Sequence, residues 1–319
     1  MELIQEIKKQ KKQVKTFLVK LIIFVALVFV VDRGLNFFLK EGMYRYFGLD
    51  KSAEVLLIGH SHTVLGIDKE TIEDKLNITV AKYARAGANL LDRKLMIQHY
   101  FKLHPKSAKI VIYDVNAHLF TKGGLSRNSY KLFYPFMDME VVNNHILAAS
   151  PEWDELIIRN TFKTSRYSEM LIAQSMRGWL KKWTNFKSGT VDIERLEKEI
   201  SSGISRKIEL NEKSIALFKE TLELIKEEGA TVVLAYIPTI DILNESEPVK
   251  YKETIEFFEK VAKDDKNIYF FDYNIKYAHQ HDLFFDPVHL NPKGQKIVTK
   301  EIVHHINMLE KVNKGNEIK

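Results

Sequence analysis

The stretch "EVLLIGHSHTVLGID", residues 54–68, reads as an apolar strand that ends in Gly-His-Ser-His before the chain turns apolar again. Ionisable rings and a hydroxyl at the end of a core strand mark a place that has to be reached from outside. Four further runs rich in Val, Ile, Tyr or Phe lie at residues 78–84, 109–115, 231–237 and 267–273. Helical patterns separate them, among them residues 90–103, with apolar positions three and four apart, and residues 214–228, closed by Gly229. Short apolar runs alternating with amphipathic helices predict an α/β fold, a doubly wound and mainly parallel five-stranded sheet with right-handed crossovers. Ligands of such sheets bind at the carboxyl ends of the strands, which is where Gly59-His60-Ser61-His62 falls.

The chain has 319 residues, 45% of them hydrophobic, enough for a large α/β domain and too apolar for a disordered one. Cysteine is absent, which removes disulfides, thiolate catalysis and Cys-based zinc sites together. Compartment therefore has to be read from the N-terminus.

There, a lysine cluster precedes an apolar run at residues 17–31 interrupted only by Lys20. The run is shorter than the roughly 20 residues that span a bilayer, but Lys20 can snorkel, and Leu35, Phe37 and Phe38 extend the apolar surface. A buried amphipathic helix is the alternative. No small-x-small cleavage signal comes after it, so the expectation is a retained signal anchor: a single-pass protein of the cell membrane, with residues 1–40 as cytoplasmic tail and anchor. The lysines predict a cytoplasmic N-terminus and an extracytoplasmic domain at residues 41–319. Residues 1–20 hold six lysines against Glu2 and Glu6, a net +4 of the chain's +6. Basic charge gathered beside a membrane segment argues for topology and against nucleic acid as a partner.

About 90 residues, 120–214, separate the third and fourth strands, far more than a crossover needs, and are expected to form a helical insertion. Within it, "MRGWLKKWTNFKSG" sets Trp179 and Trp183 among cations. That composition suits a membrane interface or a polysaccharide cleft, and equally a helix that packs its tryptophans and solvates its lysines.

A serine hydroxyl is a weak nucleophile until a base takes its proton, and the base works best when a carboxylate fixes its tautomer. "LFFDPVHLNPKGQ" supplies both, with Asp286 and His289 three apart in a turn, and Asn291 as N-cap of a last helix opened by Pro292. Ser61 alone could be no more than a helix N-cap. Paired with Asp286 and His289 at the other end of the sheet region, it reads as the nucleophile of a Ser-His-Asp site. Zinc held by His60, His62, His279 and His281 is the competing chemistry, but histidines alternating along a loop point opposite ways and no acidic cluster accompanies them. The expectation is no metal and no cofactor.

Gly59-His60-Ser61, the lone glycine of "ARAGAN", an asparagine after the third strand and Asp286-x-x-His289 together resemble the SGNH (GDSL-type) hydrolase superfamily over roughly residues 50–305. The anchor, "GHSHTVLGID" and "HLNPKG" resemble its membrane-anchored branch, which includes alginate and peptidoglycan O-acetyltransferases and the protein assisting D-alanylation of teichoic acids. The resemblance implies a flavodoxin-like sheet, Ser61 as nucleophile, His289 as base and Asp286 as its orienter. It further implies an oxyanion hole from the Ser61 amide, Gly87 and the Asn116 side chain. His60 stands where the family has aspartate, and Asp114 and Ala117 replace the Gly and Asp that flank its asparagine. His60, His62 and His118 are expected around the pocket. The activity this resemblance implies is that of an O-acetyltransferase acting on envelope or exported polysaccharide, with a membrane-bound O-acyltransferase as partner. A carbohydrate O-acetyl esterase, a membrane-attached lipase and a non-catalytic glycan- or partner-binding protein are the rivals.

Overall fold

The computed structural model describes residues 1–121, 126, 128–149, 151–203 and 207–316, with side chains through residue 311. In chain order the elements are α1 (Glu2–Phe47), β1 (Val55–Gly59), α2 (Ser61–Gly66), α3 (Lys69–Leu76), β2 (Val80–Ala84), α4 (Leu90–Leu103) and β3 (Ile110–Val115). The insertion then contributes α5 (Glu140–Ala148), α6 (Trp153–Thr161), α7 (Glu169–Trp179) and α8 (Ile193–Ser201). The second half holds α9 (Glu212–Glu227), β4 (Thr231–Tyr236), α10 (Asp241–Glu245), α11 (Pro248–Asp264), β5 (Ile268–Asp272) and α12 (Asn274–Tyr277). A hairpin, β6 (Phe284–Asp286) and β7 (His289–Leu290), leads into α13 (Pro292–Asn316).

All five expected strands form, in the order β2-β1-β3-β4-β5, every pair parallel. β1 and β3 are buried along their whole length, as strands covered on both faces must be. Successive side chains alternate between two cores. Leu56, Ile58, Val111 and Tyr113 pack with α4, α9, α11 and the end of α1, while Val55, Leu57, Ile110 and Ile112 pack with α3 and α13. Register matters for the site: Gly59 pairs with Ala84 of β2, and Ile58 with Tyr113 of β3. The carboxyl ends of β2, β1 and β3 therefore lie side by side at the point where strand order reverses.

α1 is long and apolar enough to cross a membrane, and its apolar window is unburied. It runs past residue 40 without a break and stops at Gly48, whose positive φ of 72° closes it, so that Met43, Tyr46 and Phe47 belong to the core of the folded domain. The insertion is helical, as expected, and α7 lies along the end of α1. Trp179 stacks on Phe38 at 5.0 Å between ring centroids, donates to the Phe38 carbonyl and lies under Arg45. Of the readings open for this segment, packed tryptophan is the one realised at Trp179.

Candidate active site

Ser61 is the first residue of α2, reached from β1 through His60 in one tight turn. Gly59 makes that turn possible, because a Cβ there would stand 1.9 Å from Thr63 Oγ1 and 2.7 Å from Asp114 Cβ. The hydroxyl of Ser61 lies 2.7 Å from His289 Nε2. On the far side of the ring, His289 Nδ1 is 2.8 and 2.9 Å from the two Asp286 oxygens. A carboxylate acceptor fixes the proton on Nδ1 and leaves Nε2 as the acceptor for Ser61.

Asp286 also accepts from the amides of Val288 and His289 at 3.0 and 2.9 Å, so the side chain that orients the base also folds the turn that carries it. Burial raises the Asp286 pKa, but the His289 ring and these two amides outweigh it and hold the carboxyl below its ordinary value. Around the turn, Ile240 donates to the Pro287 carbonyl and Asn291 caps α13 at Lys293 and Gly294. The expected turn forms at residues 287–288, where it joins a short antiparallel hairpin.

The other two expected contributors come from neighbouring strand ends. Gly87 sits between β2 and α4 with φ of 82°, a conformation that favours glycine. Asn116 comes directly after β3, 4% exposed, and its Oδ1 accepts from the His118 amide at 2.9 Å. Its Nδ2 donates to His60 Nε2 at 3.1 Å, which leaves one N–H of the amide for another acceptor.

That contact belongs to a second Asp-His pair, in which His60, expected only as a pocket residue, is joined by Asp114. Asp114, buried, lies 3.0 Å from His60 Nδ1. Because Asn116 donates to Nε2, the His60 proton sits on Nδ1 and is given to Asp114. The His62 amide lies 3.1 Å from the same nitrogen, which a proton shared with Asp114 prevents from accepting. Burial pushes the His60 and His62 imidazoles down and keeps them neutral. Burial works against the Asp114 charge, yet His60 and the Arg93 guanidinium hold its carboxyl low. The sequence offered only a faint signal, a histidine at position 60 where the resembling motif has aspartate and an aspartate at position 114 where it has glycine.

His62 is buried, its ring edge-on to His60 at 4.2 Å and to His289 at 5.7 Å. His60 and His118 line a cavity of about 280 Å³ beside Asn116, walled by Leu90, Leu119 and Leu217 with Lys213 also on its lining. His279 and His281 lie with Asp241, at 2.5 and 2.8 Å, and do not join the His60 group. His60, His62 and Asp114 offer three atoms within 4.8 Å of one another. A metal there would have to break the Asp114–His60 pair, since His60 spends both ring nitrogens on Asp114 and Asn116.

No family model matches the chain, and no curated protein does. Among solved structures, a provisionally named acylhydrolase from Bacteroides fragilis is similar at 12% identity and a TM-score of 0.40, over 80% of this chain and 86% of its own. An alpha/beta hydrolase enzyme from the metagenome of Lake Arreo, Spain, is similar at 10% identity and 0.28, over 79% and 94%. Likenesses this distant carry no inference about chemistry.

Proposed function

We propose that this protein is a membrane-anchored serine acyltransferase of the SGNH type, working outside the cytoplasm on cell-envelope or exported polysaccharide and moving an acetyl group through an acyl-Ser61 intermediate. The observation that carries the reading is the unbroken line from Asp286 through His289 to Ser61, with contacts of 2.8 and 2.7 Å. His289 Nε2 takes the Ser61 proton as Oγ attacks the acyl carbonyl, and the carbonyl electron pair moves to oxygen. The Ser61 amide, the Gly87 amide and the remaining Asn116 N–H receive that oxyanion, each such donor being worth roughly 100-fold or more in rate. His289 returns the proton to the departing alcohol. In the second half a sugar hydroxyl gives its proton to His289 and attacks the ester carbonyl, and His289 returns that proton to Ser61 Oγ as it leaves. The chemistry rests on side chains and backbone and takes no cofactor.

Lysines in the first turns of α1, ahead of its apolar run, support a cytoplasmic N-terminus, and the resemblance to the anchored branch supports a membrane-bound O-acyltransferase as the source of acyl groups. Nucleic acid is not a partner in this reading. Full-length protein in vesicles is expected to release acetate from an activated acetyl ester or pass it to an added oligosaccharide, with loss of nearly all turnover in Ser61→Ala and in His289→Ala. Release to water alone would assign a carbohydrate O-acetyl esterase. Unchanged turnover in Ser61→Ala would overturn the assignment in favour of glycan or partner binding.

A further inference from the structure

The apolar run of α1, residues 17–31, measures only about 22 Å at about 1.5 Å per residue, against a hydrocarbon core of about 30 Å. The roughly 20-residue window a bilayer needs can start anywhere from residue 14 to residue 18 and end between residues 33 and 37. In every such placement Phe29 lies inside the hydrocarbon, about 6 to 12 Å below the surface that faces the folded domain.

The folded domain reaches down to that level. Phe162 stacks on Phe29, centroids 5.6 Å apart and rings within 7° of parallel, and Arg33 donates to the Thr161 carbonyl at 3.2 Å. Asp32, only 4% exposed, accepts from the amides of Lys163 and Thr164, both at 2.9 Å, from the Thr164 hydroxyl at 2.6 Å, and from Arg33. A carboxylate at the edge of a membrane span is tolerated when protein satisfies it, and here the insertion does so.

Around this socket large apolar side chains stand exposed among a few polar ones. α6 exposes Trp153 (80%), Ile157 (63%) and Ile158, and Phe162 comes next at 42%. Met170 and Ile172, at the start of α7, are exposed beside them in sequence. α6 also exposes Asp154 at its start and Asn160 and Thr161 at the end near Phe29, where the Thr161 carbonyl accepts from Arg33. This surface continues that of the span, where Val25 and Val30 are also exposed.

We propose that α6 and Phe162 are embedded among the lipid acyl chains, as a collar that Asp32 pins to the span. The partner is the bilayer itself, at the depth of about 5–10 Å that interfacial helices occupy. The proposal rests on α1 crossing the membrane and is independent of the chemistry at Ser61. Its consequence is a catalytic domain held at fixed height, since α7 packs so tightly on α1 that a Cβ on Gly178 would lie 1.9 Å from the Gly42 carbonyl oxygen.

The chain contains no cysteine, so single cysteines report cleanly. Full-length Ile158→Cys, Phe162→Cys, Val25→Cys and Glu197→Cys, each carrying an environment-sensitive fluorophore, are reconstituted in phosphatidylcholine vesicles and quenched by aqueous iodide or by a nitroxide-labelled lipid. At Ile158 and Phe162 the lipid nitroxide should quench strongly, and iodide roughly fivefold or more weakly than at Glu197 on the polar α8. If Val25 is shielded while Ile158 and Phe162 are as open to iodide as Glu197, the collar is wrong and the span stands. If Val25 is itself open to iodide, both fail. Shielding from iodide without quenching by lipid would show a protein contact, such as a second copy of this chain, and would also overturn the proposal.

Discussion

At the scale of single residues, two aspartate-histidine pairs share the site and do different work. Asp286 and His289 address the hydroxyl of Ser61, while Asp114 and His60 address the amide of Asn116. In the proposed acyl transfer Asp114 would be a positioning residue, acting through His60 on the Asn116 amide. Asp114→Asn removes the charge that fixes the His60 proton on Nδ1, lets the ring offer Nε2–H instead, and so opposes the Asn116 donor. The expected outcome is a kcat lowered by roughly 10- to 100-fold with KM little changed. A loss confined to KM, or a fall in thermal stability that fully explains lost turnover, would mark Asp114 as merely structural. The meeting of Ser61, His289 and Asp286 was legible in the sequence because a hydroxyl, an imidazole and a carboxylate stand at the ends of strand regions, in the pattern such a site would need. Asp114 was not, since only the folded register reveals that it faces His60, and a lone aspartate at the end of a strand has many uses.

Elements gather these residues because three parallel strands end level. β1 and β2 close at Gly59 and Ala84, β3 a little beyond Tyr113's pairing with Ile58, and each succeeding turn delivers one group to the same edge. α2, which carries Ser61, is held at its far end by Lys82 of β2, whose Nζ donates to the carbonyls of Val64 and Ile67 at 2.8 and 2.5 Å. Burial lowers the Lys82 pKa to about 7. Below that value both folded and unfolded chains hold the proton; between it and the ordinary lysine range, about 10.4, only the unfolded chain does. The unfolded state then binds more protons, so stability rises with pH, by up to about 1.4 kcal/mol per unit. Wild type compared with Lys82→Met by denaturant unfolding at pH 6.5, 8 and 9.5 should show the difference moving in favour of wild type as pH rises; a constant difference would refute the buried amine. Strand and helix existence were legible from periodicity at this scale. The docking of residues 161–164 on the end of the apolar run of α1 was not, because contacts between Asp32 and residues 163–164 are long-range and neither segment signals the other.

Taken as a whole molecule, the fold sets the candidate site at one edge of a sheet packed against the end of a long helix whose middle is apolar enough to cross a membrane. α1 carries an apolar run long enough to cross a membrane and, from Met43 to Phe47, side chains of the core, so one unbroken helix joins the two parts that composition divides at residue 40. The helical insertion was foreseen from its length, and its packing of Trp179 against Phe38 fixes the domain to the span. Everything proposed about acyl transfer depends on Ser61 being an activated nucleophile, and this can be asked without knowing donor or acceptor. Full-length protein in vesicles would be treated with a fluorophosphonate and its modified peptide located by mass spectrometry. A single adduct on Ser61, absent from Ser61→Ala and formed at least about 100-fold more slowly in His289→Ala, is the expected result. Unmodified Ser61 under conditions that label a control serine hydrolase, or labelling at Ser61 that His289→Ala leaves unchanged, would contradict it.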